Sequence, residues 1–278
     1  MSRMFQALKQ LGANVAPVPL ADGLPASAVT EPFALGPAAG SSTVEPVQPG
    51  DQPPPPAEAE PKPPPREPLP ETVDERDRQY FQMAENILAP LNRGQPAALV
   101  FAAPDDAEDK SGMLARLAAA LTQHVSGEIL VADCNFHNPT LAHHLGLQVR
   151  RSLVDVLLGT AHWREAVRQT KLERLYVLPG GRFPTGDGQP PEGLQLDSLI
   201  DQWRHEFRLV LLDTASPAHP EVTRLARSCD GTYLVIQLHR TPRSAARQAI
   251  RRLEQSGGQV LGCVLTDGPI APAAASGW

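Results

Sequence analysis

The residues whose types and spacing carry the most chemistry are Lys110 and Ser111, adjacent after an apolar run and an acidic turn. Two aspartates, Asp133 and Asp213, each close another apolar run. An ammonium and a hydroxyl side by side at the start of a helix suit phosphate oxygens and their Mg²⁺. Backbone N–H groups and the helix dipole favour the anion, the lysine reaches its terminal charges, and the hydroxyl with a carboxylate holds the metal. From Pro96 the sequence runs PAALVFAAPDDAEDKSGMLARLAAAL, the plan of a buried strand, a tight turn and a helix. The phosphate-loop pattern G-x-x-x-x-G-K-[ST] wants glycine where this chain has Pro104 and Asp109. Only glycine freely takes φ > 0 and lets phosphate oxygens approach the backbone. A carboxylate at Asp109, about 5 Å from a phosphate charge at an effective dielectric of about 20, costs ~3 kcal/mol, on the order of a hundredfold in affinity. Asp105, Asp106 and Glu108 add negative charge to the same loop.

Other candidates carry less. An acid ending a buried strand commonly caps the following turn, but two of them at equivalent strand ends beside Lys110 point to a site. His137, His143 and His144 lie near Cys134, yet their spacing matches no common zinc pattern and reads as surface histidines. Arg240, Arg243, Arg247 and Arg251 form a stripe opposite Ala246, Ile250 and Leu253, the pattern of a solvated helix face, with an acidic partner or lipid-headgroup surface as the sharper reading.

These residues need a frame, and the apolar runs supply it. Strands are expected at Ala97–Ala102, Glu128–Asp133, Leu175–Pro179, Arg208–Thr214, Gly231–Leu238 and Gln259–Leu265. Helical patterns fall over Asp74–Asn92, Met113–Leu121, Leu194–Phe207 and Arg243–Gln255, with short helical pieces at Ser152–Leu158 and His162–Gln169. Apolar strands alternating with helices mean an α/β fold, a mainly parallel central sheet with helices on both faces. Ligands in such sheets sit beyond the carboxyl ends of the strands, where Lys110, Asp133 and Asp213 fall.

Composition bounds the rest. Of the 30 prolines, 17 precede Glu71, which leaves residues 76–269 for the folded domain and 270–278 for a flexible tail. Residues 13–75 read as a disordered proline-rich linker, with polyproline runs at Pro53–Pro56 and Pro63–Pro65. Residues 1–12 hold a short amphipathic segment, SRMFQALKQL over residues 2–11, expected as a docking helix that folds on a partner. A formal charge of −6 argues against nucleic acid as a partner. Three dispersed cysteines suit a reduced compartment, so a cytoplasmic location is expected, and no run is long and apolar enough to span a bilayer.

The chain resembles the bacterial tyrosine kinases of capsule and exopolysaccharide synthesis, relatives of the deviant P-loop ATPases. The resemblance covers roughly Tyr80 to Pro269 and the opening MSRMFQALK. It is carried by EDKS (Glu108–Ser111), ILVADCNFHNPTL (Ile129–Leu141), SLVDVLLGTAHWREAV (Ser152–Val167), LYVLPGG (Leu175–Gly181), LVLLDTAS (Leu209–Ser216) and QVLGCVL (Gln259–Leu265). It implies a P-loop NTPase-like fold, with Lys110 and Ser111 as nucleotide-binding residues, Ser111 and Asp213 as Mg²⁺ ligands, and Asp133 and Asp213 as the catalytic acids. The family's second acid is Asn135 here, a poorer Mg²⁺ ligand and no carboxylate base. The family's loop glycines are Ala107 and Asp109, its ring-forming E-x-x-R-x-x-R positions read Arg78, Phe81 and Ala84, and its C-terminal tyrosine cluster has no counterpart after Tyr233. The expectation is a degenerate, non-catalytic pseudokinase or pseudo-ATPase that needs no cofactor and serves an envelope polysaccharide synthesis or export system. Its protein partner would be an inner-membrane polysaccharide co-polymerase or secretion component, met through residues 2–11 and the linker, which would place the chain peripherally at the inner membrane. The alternative is an active Mg-ATP-binding ATPase or protein kinase, or a subunit completing a mixed oligomer with a homologous ATPase.

Overall fold

In the computed structural model the described residues are 75–267, apart from 93, 106–109, 186–189 and 192–195. The docking helix, nearly all of the linker and the tail expected from sequence lie outside them, as do the substituted loop positions Ala107 and Asp109. Helix α1 (Glu75–Leu88) leads into β1 (Ala97–Ala102) and α2 (Ser111–Leu121). Then follow β2 (Ile129–Cys134) and the short helices α3 (Leu141–His144), α4 (Leu153–Leu157) and α5 (Trp163–Ala166), with β3 (Arg168–Gln169) and β4 (Leu175–Leu178) after them. The chain closes with α6 (Leu196–Glu206), β5 (Leu209–Thr214), α7 (Pro220–Ser228), β6 (Gly231–Gln237), α8 (Arg243–Gln255) and β7 (Val260–Thr266).

The seven strands form one sheet in the order β3-β4-β2-β5-β1-β6-β7. All pairings are parallel except β3 with β4. Four of the five inner strands, β1, β2, β5 and β6, are apolar along nearly their whole length because helices cover both faces, so both sets of alternating side chains meet a core. In β1, Ala98, Val100 and Ala102 belong to one core with Trp203 and Leu225. Leu99 and Phe101 belong to the other with Leu117 and Leu121. Helix α1 is tied to the second face by the Tyr233 hydroxyl, which donates to the Ile87 carbonyl at 3.2 Å.

One expected helix is partly a strand. The segment His162–Gln169 makes a single turn, closed by a capping box in which the His162 ring accepts from the Arg164 N–H and the Glu165 carboxylate accepts from the His162 N–H. Val167 then leaves in extended conformation, and Arg168 and Gln169 pair with β4. A reciprocal cap satisfies one turn well, whereas the free sheet edge offers the next residues backbone hydrogen bonds that a second helical turn would forgo. Helix α1 also ends at Leu88, short of the expected Asn92.

Among the described residues Trp203 is the largest side chain with no exposure at all, and it anchors α6 under the sheet. Trp203→Ala is expected to lower stability by about 3–5 kcal/mol, read as a shifted urea midpoint followed by circular dichroism.

Candidate functional site

Because β2, β5 and β1 are neighbours and run parallel, their carboxyl ends open on one crevice. Asp133 and Asp213 stand at paired register positions on β2 and β5. Lys110 is the residue preceding α2 and Ser111 its first residue. The structure brings all four sequence-predicted residues together and buries them: Lys110 is 2% exposed, Ser111 2%, Asp133 1% and Asp213 0%.

Asp213 is the hub. Lys110 Nζ lies 3.0 Å from its Oδ1, an ionic contact without the alignment of a hydrogen bond, and the Ser111 hydroxyl donates to its Oδ2 at 2.5 Å. Ser111 in turn accepts from the Thr140 hydroxyl at 2.8 Å. An ammonium this buried needs a counter-charge, and Asp213 provides it. The loop after β5 is stitched to the neighbouring strand: Thr214 donates to the Phe101 carbonyl at 3.1 Å and Ser216 to the Pro104 carbonyl at 2.9 Å. These bonds fix the height of the carboxylate relative to the lysine.

Asp133 behaves differently. Its two oxygens accept the backbone N–H groups of Asn135 at 3.1 Å and Leu141 at 3.2 Å, so it organises the loop leaving β2. Burial first, and then the neighbouring Asp213 charge, hold its carboxyl well above the usual carboxylate range, against the opposing pull of those N–H groups and Lys110. The pocket thus sets two buried carboxylates against one lysine. Asn135, at the position where the resemblance expects the second acid, uses its side-chain oxygen to accept the Asn138 N–H at 3.2 Å and closes a local turn. Gly180 packs on Asp133 from β4's side: a Cβ there would lie 2.8 Å from the Asp133 carbonyl and 2.9 Å from its carboxyl carbon.

Sequence reading did not find Thr140, whose only signal was its place in the ILVADCNFHNPTL run. His137 is more than a surface histidine: its Nε2 lies 2.9 Å from Glu221 Oε1. The buried thiol of Cys134 is pushed well up, chiefly by burial and then by Asp133, so it is no nucleophile. Arg243, Arg247 and Arg251 are exposed on α8, while Ala246, Ala249 and Leu253 are buried.

Lys110, Ser111 and Asp213 bring an ammonium, a hydroxyl and a carboxylate together in one buried pocket, and comparison with known proteins bears on the fold around them. No family model matches the chain. It is 26% identical over 162 residues to the tyrosine-protein kinase CpsD of Streptococcus agalactiae, covering 58% of this chain and 69% of that protein. Other relatives include the putative tyrosine-protein kinase CapB of Staphylococcus aureus, 23% identical over 205 residues and covering 72% of this chain and 86% of that protein. Among solved structures, the chimerical protein CapA2B2 superposes with a TM-score of 0.62 at 20% identity, covering 70% of this chain and 85% of that one. The septum site-determining protein MinD of Pyrococcus horikoshii, complexed with Mg-ADP, superposes with a TM-score of 0.50 at 22% identity, covering 64% and 76%. The fold is therefore that of the P-loop NTPases. Among the described residues no helix is long and apolar enough to cross a membrane.

Two measurements probe this pocket. Removing the counter-charge strands Lys110, so Asp213→Ala is expected to lower stability by about 3–5 kcal/mol, read by chemical denaturation at neutral pH. For Asp133 the linkage runs the other way. Its folded carboxyl keeps its proton to higher pH than the unfolded one, so between the two the folded state binds more protons and stability falls as pH rises. Asp133→Asn stays neutral and removes that decline. Denaturation midpoints measured from about pH 4 upward should rise for the variant relative to the parent, and a pH-independent difference would refute the assignment.

Proposed function

We propose that the chain is a non-catalytic member of the tyrosine-kinase lineage, a pseudo-ATPase acting as an interaction or regulatory subunit of an envelope polysaccharide synthesis or export system. The observation that carries this reading is the closure of the pocket on itself: the lysine and the hydroxyl that would meet a nucleotide are both committed to Asp213, in a site where all three are buried. A phosphate would have to compete with that carboxylate for one ammonium, and the sequence places the further acid Asp109 where the phosphate loop wants glycine. Asn135 adds to this, since an amide spent on a turn does not act as a carboxylate base. Its partner is an inner-membrane polysaccharide co-polymerase or secretion component bound through residues 2–11 and the linker, with the chain cytoplasmic and peripheral to the membrane.

A second reading is an active Mg-ATP-dependent ATPase or protein kinase, alone or completing a mixed oligomer with a catalytic homologue. What favours it is that Lys110, Ser111 and Asp213 retain the donor types of a Mg-phosphate site and stand side by side, in a chain whose relatives are kinases. In that case Lys110 and Ser111 hold the phosphates, Ser111 and Asp213 the Mg²⁺, and Asp133 and Asp213 are the catalytic acids.

Calorimetric titration with MgATP and MgADP separates the two. The first reading expects millimolar or weaker binding and no ATP turnover. Micromolar binding abolished by Lys110→Ala would overturn it. If binding is weak, Asp109→Gly with Ala107→Gly should strengthen it by roughly a hundredfold.

A further inference from the structure

Beside the phosphate pocket, and separate from Lys110 and Asp213, the same end of the sheet carries a second cluster of ligating side chains. Strands β2 and β5 are neighbours, so the loops that leave them run side by side. The β2 loop carries His137, and the β5 loop delivers His219 and Glu221 at the start of α7. One ligand atom from each of the three lies within 4.8 Å of the other two. His137 Nε2 and Glu221 Oε1 are 2.9 Å apart, and the His137 and His219 rings stack with centroids 3.9 Å apart and planes at 28°.

We propose that His137, His219 and Glu221 form a binding site for a first-row transition-metal ion, with Zn²⁺ the best-fitting ion. Two imidazole nitrogens and one carboxylate oxygen are a zinc donor set, and three protein ligands leave a fourth position open to water or an incoming ligand. Neighbouring ligands on a tetrahedral ion with bonds of about 2.0–2.2 Å lie about 3.3–3.6 Å apart, so the His137–Glu221 pair, at 2.9 Å, needs to open only slightly to admit one. The remaining adjustment is a rotation of side-chain tips, because the backbone beneath them is held. Asn135 accepts the Asn138 N–H across the His137 turn at 3.2 Å, and Phe136 packs edge-to-face on Phe183 at 5.1 Å. The His219 N–H donates to the Ser216 carbonyl at 3.0 Å, its own carbonyl accepts the Val222 N–H at 3.2 Å, and Pro220 pre-sets the first turn of α7. The side chains are partly shielded, with 17% exposure at His137 and 10% at Glu221, so an ion can enter without unfolding the loops. Imidazole donors select against Mg²⁺, which takes oxygen ligands. The site is therefore chemically distinct from the pocket 110–213. A bound ion would lock the loop after β2 to α7 and hold the rim of that pocket in one arrangement.

The test is a competition titration of tag-free, chelator-treated full-length protein with Zn²⁺ against a chromophoric chelator, with Co²⁺ as a spectroscopic substitute. One equivalent of Zn²⁺ should bind with micromolar or tighter affinity, undisplaced by millimolar Mg²⁺. His219→Ala and Glu221→Gln should each weaken binding at least tenfold, while His205→Ala, on exposed α6 surface, leaves it unchanged. The Co²⁺-loaded parent protein should show visible d–d bands without a thiolate charge-transfer band, a readout that needs no variant to fold. Absence of stoichiometric binding, unchanged affinity in both ligand variants, or a thiolate band placing the ion on a cysteine would each overturn the proposal.

Discussion

A buried ammonium dictates much of this architecture. Lys110 emerges just ahead of α2 into a crevice where water has been replaced by strand ends, and in such surroundings an uncompensated charge is costly enough to unfold the loop or deprotonate the group. Asp213 meets that demand and takes the Ser111 hydroxyl on its other oxygen. The Thr214 and Ser216 hydroxyls then peg the β5 loop to β1 and to Pro104, so the counter-charge cannot drift. Helix α2, strand β5 and the loop beyond it are thus held in register by one charge pair. The charge pair works as an internal staple between these segments.

Asp133 shows the same constraint from the other side. The crevice has one lysine, and Asp213 stands closest to it. A second ionised carboxylate at that depth would face burial and a like charge together, so the Asp133 carboxyl is held well above the usual carboxylate range while its oxygens accept the N–H groups of Asn135 and Leu141. In the ancestral chemistry implied by the family resemblance this position supports metal and water. In this chain its contacts are those of a loop organiser, and the side-chain oxygen of Asn135 beside it accepts the Asn138 N–H.

Much of the frame was legible because its causes are periodic. Strands buried on both faces read as unbroken apolar runs, and the rule that ligands gather at strand ends placed Lys110, Asp133 and Asp213 together before any coordinates. What was not legible depends on contacts between distant segments or on competition at a helix end. His137 has a partner 84 positions away in Glu221, and no spacing rule connects them. Arg168 and Gln169 look helical in isolation, yet a free sheet edge outbids a second helical turn. Thr140 bonds Ser111 across 29 positions and carries no signature of its own.

Gly180 has a wider implication. Because any side chain there would collide with the backbone and carboxyl carbon of Asp133, the β4 side of the crevice is closed by a steric prohibition, independent of charge or catalysis. A glycine that seats one strand end against another answers to the fold alone, so the fit between β4 and β2 is set whatever the strand ends bind.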